Sequence, residues 1–254
     1  MENYKVIRAF YKSFSQPIWK IQIDERFETL GLETRDFQEG IPLFSLIDLR
    51  MNATIAQDHP HPEKDWTLAG VHKHWLILRK VGRDSPYGLG VRVWDAASKV
   101  LLWEAPHLRF LSLQNGLLEC KGASIVSGIS QFLEIESGQP RRKPVNEAEP
   151  ATYLQIPSLY EGKLPDGLVK YDAIMPIHHL VLNHTEIFAF HEYTDPISQV
   201  VMHVRWMILK HKEVVLDEII ISPLEKQLPE LFFAFKEQLF FIGNNKKEFV
   251  SYLV

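Results

Sequence analysis

The 254 residues predict an all-β chain, and three observations carry that expectation. Apolar and polar residues alternate with a period of two in run after run, the pattern of half-buried strands. Clusters of Gly, Asn, Ser and Pro separate the runs, as turns do. No stretch alternates strands with long helices, which disfavours a parallel α/β arrangement. A composition 46% hydrophobic and 24% charged is that of a folded globular chain.

Taken in order, Tyr4, Ile7, Phe10, Tyr11 and Phe14 recur at helical spacing with Lys5, Arg8 and Lys12 opposite. This predicts a short amphipathic helix within residues 1–16 that covers the protein's own apolar surface. From Pro17 the period changes to two, with Trp19, Ile21 and Ile23 alternating with Lys20, Gln22 and Asp24. Further strands are predicted at 29–34, 42–49, 74–80, 90–94, 100–104, 109–113, 116–121 and 131–136. A later series covers 179–182, 186–191, 200–209, 214–221, 231–235, 238–242 and 249–253. Ser222-Pro223-Leu224-Glu225 has the serine, proline and glutamate of a helix start, which Pro229 should soon stop. Two irregular stretches, Asn52 to Asp65 and Ser137 to Pro176, are predicted as long loops.

The run from Val93 to Glu104, VWDAASKVLLWE, resembles the repeat of quinoprotein-like (PQQ-repeat-like) propellers, in which an aspartate, a tight turn and a tryptophan join the two outer strands of a blade. Phe132 to Gly138 and Leu43 to Leu49 look like further copies, with Lys99 where the repeat has glycine and Glu134 where it has aspartate. The chain is also similar to an uncharacterised bacterial propeller family with such repeats. The resemblance implies a small β-propeller, with Trp94 and Trp103 packed between blades. The strands group into about five blades of roughly fifty residues. On this reading residues 17–254 form one domain closed by its terminal strands, Pro17 to Ile23 pairing with Phe249 to Leu253, which would remove an exposed edge. An irregular β-sandwich is the alternative.

Charge and motifs narrow the function. A formal net charge of −4, from 28 basic and 32 acidic residues, gives no field to gather nucleic acid. With Cys120 the sole cysteine there is no internal disulfide, as in a reducing compartment. No apolar run reaches the length of a membrane span, and a cytoplasmic location is expected. The motifs of serine nucleophile elbows, phosphate loops and zinc-protease helices do not occur. Eleven histidines are the unusual feature. His72 and His74, two apart on a predicted strand, share a face, and with His59 or His61 from the preceding loop they are the candidate ligands for a transition metal such as zinc. No other cofactor is expected. His178, His179, His184, His191, His203 and His211 spread over later strands and read as satisfied interior or surface groups. The expected function is that of a noncatalytic binding or scaffold propeller that recognises a protein or small ligand where the long loops converge. The alternative is a propeller hydrolase or lyase assisted by a metal at the first histidine group.

Overall fold

Tyr, Phe, Ile and Val are residues that fit a pleated, half-buried surface, and at the start of this chain they override the helical spacing. In the computed structural model, which describes residues 6–36, 38–82, 88–122, 130–143 and 152–254, Ile7–Ser13 is a strand, β1. It pairs antiparallel with Glu248–Leu253 near the C-terminus, from Ile7 opposite Leu253 to Ser13 opposite Glu248. The predicted N-terminal helix is thus corrected to a strand. So short a helix gains little from its own hydrogen bonds, whereas a neighbouring strand satisfies the same backbone groups. The expected partner of Phe249 to Leu253 is corrected with it: β2 (Ile18–Asp24) pairs instead with its hairpin neighbour, β3 (Thr29–Arg35).

The described chain is all-β, in four antiparallel sheets, and divides into two compact units. In the unit of residues 14–151, β2 and β3 continue into β4 (Pro42–Asp48) and β5 (Ala53–Pro60) as one meander. The next meander runs through β6 (Trp66–His72), β7 (Trp75–Lys80), β8 (Leu89–Asp95), β9 (Val100–Gln114), β10 (Leu117–Gly122), β11 (Gln131–Glu134) and β12 (Pro140–Arg141). The five separate blades of the sequence reading are corrected here. Between 104 and 109, Glu-Ala-Pro-His-Leu-Arg holds no Gly, Asn or Asp to turn the chain. β9 therefore runs on for 15 residues, its first part on β8 and its second on β10, and joins two predicted groups into one sheet.

The unit of residues 1–13 and 152–254 holds the other two sheets. One is built from the short β14 (Ser158–Leu159) and the long β15 (Ala173–Leu182), β16 (Thr185–Tyr193), β17 (Met202–Lys210) and β18 (Glu213–Leu224). The other orders β1, β21 (Glu248–Leu253), β20 (Gln238–Gly243), β19 (Phe233–Phe235) and β13 (Leu154–Gln155). Trp206, fully buried, packs edge-on against Phe232, Phe241 and Tyr252 and joins the two sheets in one core. The helix expected at Ser222 is strand through Leu224. The described helical turn Asp166–Val169 is four residues long, and no described helix is long and apolar enough to cross a membrane.

The repeat read from the sequence is a turn device. Oδ1 of Asp24 accepts the backbone N–H of Arg26 and Phe27, Asp48 that of Arg50 and Met51, and Asp95 that of Ala97 and Ser98, at 2.9 to 3.2 Å. Four residues after each aspartate the backbone turns left-handed, at Glu28 (φ 55°), Asn52 (φ 49°) and Lys99 (φ 61°). Glu134 and Gly138 (φ 68°) hold the corresponding places in a fourth hairpin, where the Gly138 N–H bonds to the Glu134 carbonyl. The carboxylate stands in for a backbone acceptor and so specifies the loop.

Candidate functional site

Two clefts among the described residues lie in the unit of residues 14–151. The first, about 320 Å³, lies between β4, β5, β8 and the Asp95 turn, and is walled mainly by apolar groups: Phe44, Pro60, Pro62, Leu78, Trp94 and Leu101. The His59 ring stacks on Trp94 with 4.3 Å between centroids and 17° between planes. Lys99, at the left-handed turn position, supplies an exposed cation at the rim.

The ionisable groups His61, Glu63 and Arg92 line the same cleft and are bonded to one another. Arg92, on β8, pairs with Glu63 at 2.7 Å and Glu104 at 2.9 Å, and its guanidinium lies 4.1 Å from the centre of the Trp66 ring. It also donates to His61 Nε2 at 3.0 Å. An arginine cannot accept, so the Nε2 lone pair takes that bond, and Nδ1 lies against the Glu63 backbone, 3.0 Å from its carbonyl and 3.2 Å from its N–H. Burial above all, aided by the Arg92 charge, lowers the His61 pKa and keeps the ring neutral. Hydrogen bonds from Trp66 and then Arg92 hold the Glu63 carboxyl below the usual range. His59 is also lowered, by burial and then by the Lys99 charge.

The second cleft, about 260 Å³, forms where four hairpin turns meet: Arg26 and Phe27 after β2, Lys73 after β6, Asn115 and Gly116 after β9, and Glu134 to Glu136 after β11. His72 reaches it from the end of β6, with Nδ1 2.9 Å from Asp24 Oδ2. Asp24 also accepts the backbone N–H of Lys73 at 3.1 Å. Burial pushes its carboxyl up, but the bonds from His72, Lys73 and Phe27 outweigh it and leave the pKa below the ordinary value.

The four histidines nominated for a metal are distributed over three settings. His59 and His61 share the first cleft, His72 lines the second, and His74 Nε2 lies 3.8 Å from Asp95 while its ring tilts against Trp75. Among the described residues no group of three or more His, Cys, Asp or Glu is placed to hold a metal ion. The stretch expected as a loop at 52–65 contributes β5 as well as the wall of the first cleft, and the 137–176 stretch lies partly outside the described residues. In the other unit, His203, Glu192, Arg205 and Asp217 form a chain of contacts at 2.8 to 3.0 Å, with the Tyr171 hydroxyl also donating to Asp217. Cys120 is buried and its thiol is pushed up to about 12 by desolvation, so it is no nucleophile at neutral pH. Sequence reasoning missed Arg92 and Glu63. The available signal was the alternation of Val91, Arg92 and Val93, which puts one charge on the face opposite two buried valines.

No family model matches the sequence, and no curated protein sequence does. Among solved structures the chain is similar to the β-propeller domain of the trilobed protease from Pyrococcus furiosus, at 9% identity and TM-score 0.33, covering 93% of this chain and 79% of that one. It is similar to the WD40 domain of SCAP from fission yeast at 11% identity and TM-score 0.31, covering 99% and 65%. A eukaryotic initiation factor matches at 11% identity and TM-score 0.31, covering 95% and 54%. The likeness to these domains is distant, and the chain spans between about half and four fifths of their lengths.

Proposed function

We propose that this chain is a noncatalytic binding module whose first cleft takes a small, flat, largely apolar ligand carrying one anionic group. The observation that carries this reading is that the charged groups among the mostly apolar lining are paired with one another. A general base needs a lone pair free to reach a substrate proton. Here the His61 lone pair is taken by Arg92, and the oxygens of Glu63 by Arg92 and Trp66. The apolar walls exclude water from a ligand face, the His59–Trp94 stack offers a flat surface, and Lys99 at the rim supplies a counter-charge. Apolar lining with a few placed polar groups is how small-molecule sites gain both affinity and orientation.

The test uses 8-anilinonaphthalene-1-sulfonate, a flat aromatic sulfonate, titrated by fluorescence. Saturable binding at one site is expected, weakened about tenfold or more, the equivalent of 1.4 kcal/mol, in Leu101→Glu. Leu101 is half exposed, so its replacement leaves the fold intact. Equal binding by the variant, or none by the native protein, would overturn the reading.

A further inference from the structure

We propose that the second cleft is a separate binding site for a small zwitterion, a molecule carrying an ammonium and a carboxylate beside an apolar side chain, as a free amino acid does. The inference does not depend on the first cleft, with which this one shares no lining residue.

Charges of both signs line the space. Arg26 and Lys73 come from two turns, and Glu136 from a third. Glu134 is already held by Arg141 at 3.0 Å and by the Ser137 hydroxyl. A simple anion would meet Glu136 and a simple cation would meet Arg26 and Lys73, each paying for repulsion as well as desolvation. A zwitterion places each end against its complement. The Lys73 ammonium lies 5.0 Å from the centre of the Phe27 ring and 5.4 Å from that of Trp75, so the cationic wall is also an aromatic one, suited to an apolar side chain. The volume is below the roughly 300 to 1,000 Å³ of drug-sized sites, which limits the occupant to a small molecule.

His72 points to the same ligand. It is 9% exposed, and its Nδ1 is held by Asp24 at 2.9 Å, which leaves Nε2 as the nitrogen turned to the cleft. Among the described residues nothing bonds to that Nε2. Its near neighbour is Gly116, where a Cβ would lie only 3.1 Å away. Glycine at this turn, with φ 74°, therefore leaves room at that nitrogen, while Glu136 remains for the ammonium and Arg26 and Lys73 for the carboxylate.

Isothermal titration of the full chain with glycine and L-leucine tests the proposal, alongside 4-methylpentanoate, which lacks leucine's ammonium, and 3-methylbutylamine, which lacks its carboxylate. Binding of at least one amino acid at one site per chain is expected, with neither monofunctional compound giving heat. Lys73→Met and Glu136→Gln, both at exposed positions, should each weaken binding about tenfold with the melting temperature unchanged. No binding of either amino acid, binding of 4-methylpentanoate or 3-methylbutylamine as tight as that of leucine, or full affinity in both variants would overturn it.

Discussion

The indole of Trp103 lies against Gly138 so closely that a Cβ on residue 138 would sit 2.9 Å from its Cδ2, while its Nε1 donates to the Ile135 carbonyl at 2.6 Å. A side chain of β9 thus holds the turn between β11 and β12, so that Trp103 packs within its own sheet and not between blades as the repeat implied. The left-handed position of this turn has a glycine, whereas the equivalent position after Asp95 has Lys99.

That difference predicts opposite effects of two substitutions. Gly138→Ala combines left-handed strain with the clash on Trp103 and should cost about 2 to 4 kcal/mol. Lys99→Gly relieves left-handed strain of about 1 to 2 kcal/mol, less the entropy a glycine loses on folding, and should leave stability unchanged or up to about 1 kcal/mol higher. Urea denaturation midpoints measure both. A Gly138→Ala protein as stable as the native one would show that the Trp103 contact does not constrain the turn.

Pairing of the chain ends gives the second prediction. β21 is hydrogen-bonded on one side to β1 and on the other to β20, and Phe249 is fully buried between Phe10 and Phe240. Deleting Phe249 to Val254 should lower the melting temperature sharply, since truncating one such buried aromatic alone costs about 3 to 5 kcal/mol. Removing the N-terminus through Ser13 should destabilise less, because β1 is an edge with Ile7 and Tyr11 exposed. An unchanged melting temperature in the C-terminal truncation would show that β21 does not hold this sheet together.

Strand pattern and turn chemistry were legible because both are local. The alternation at 200–209 and 238–242 matches β17 and β20, and the copies read at Asp48, Asp95 and Glu134 are hairpins of one design. The copy at Asp24 was missed although the same turn follows it, with Phe27 and Glu28 where Met51 and Asn52 or Ser98 and Lys99 stand in the others. Ile7–Ser13 was misread because its aromatic spacing fits either period, and only Glu248–Leu253, some 240 residues away in sequence, decides it. The clefts were legible only in fragments. His59, His61 and His72 are conspicuous by type, but Arg92 lies 31 residues from His61, and Asp24 and Gly116 lie 48 and 44 residues from His72, so that only the packing of strands and turns that are not hydrogen-bonded neighbours brings them together. Glu33 shows the same limit: fully buried on β3, it takes the Thr67 hydroxyl and the Leu68 N–H from β6, contacts no local pattern announces.

Histidine burial sets the last prediction, the dependence of stability on pH. His59, His61, His178 and His191 all have pKa values held below the ordinary 6.5, in each case chiefly by burial. The unfolded chain therefore binds protons at these sites at a higher pH than the folded chain does. Stability rises with pH wherever the unfolded state holds more protons, so it is lost as pH falls from 6.5 toward the depressed folded values. His191 shows why the folded state resists: its Nε2 accepts the Leu228 N–H at 3.0 Å, and a second proton could enter only by breaking that bond. Asp24, Asp95 and Glu63 act in another window, because their lowered pKa values mean that their contribution is lost only as pH falls through and below the ordinary carboxylate range. Urea midpoints measured from about pH 7.5 to pH 5 should consequently decline, and His191→Gln, whose amide oxygen can still accept from Leu228, should decline less steeply than the native protein. A native profile flat across that interval, or a variant slope equal to the native one, would show that these buried histidines do not link protonation to unfolding.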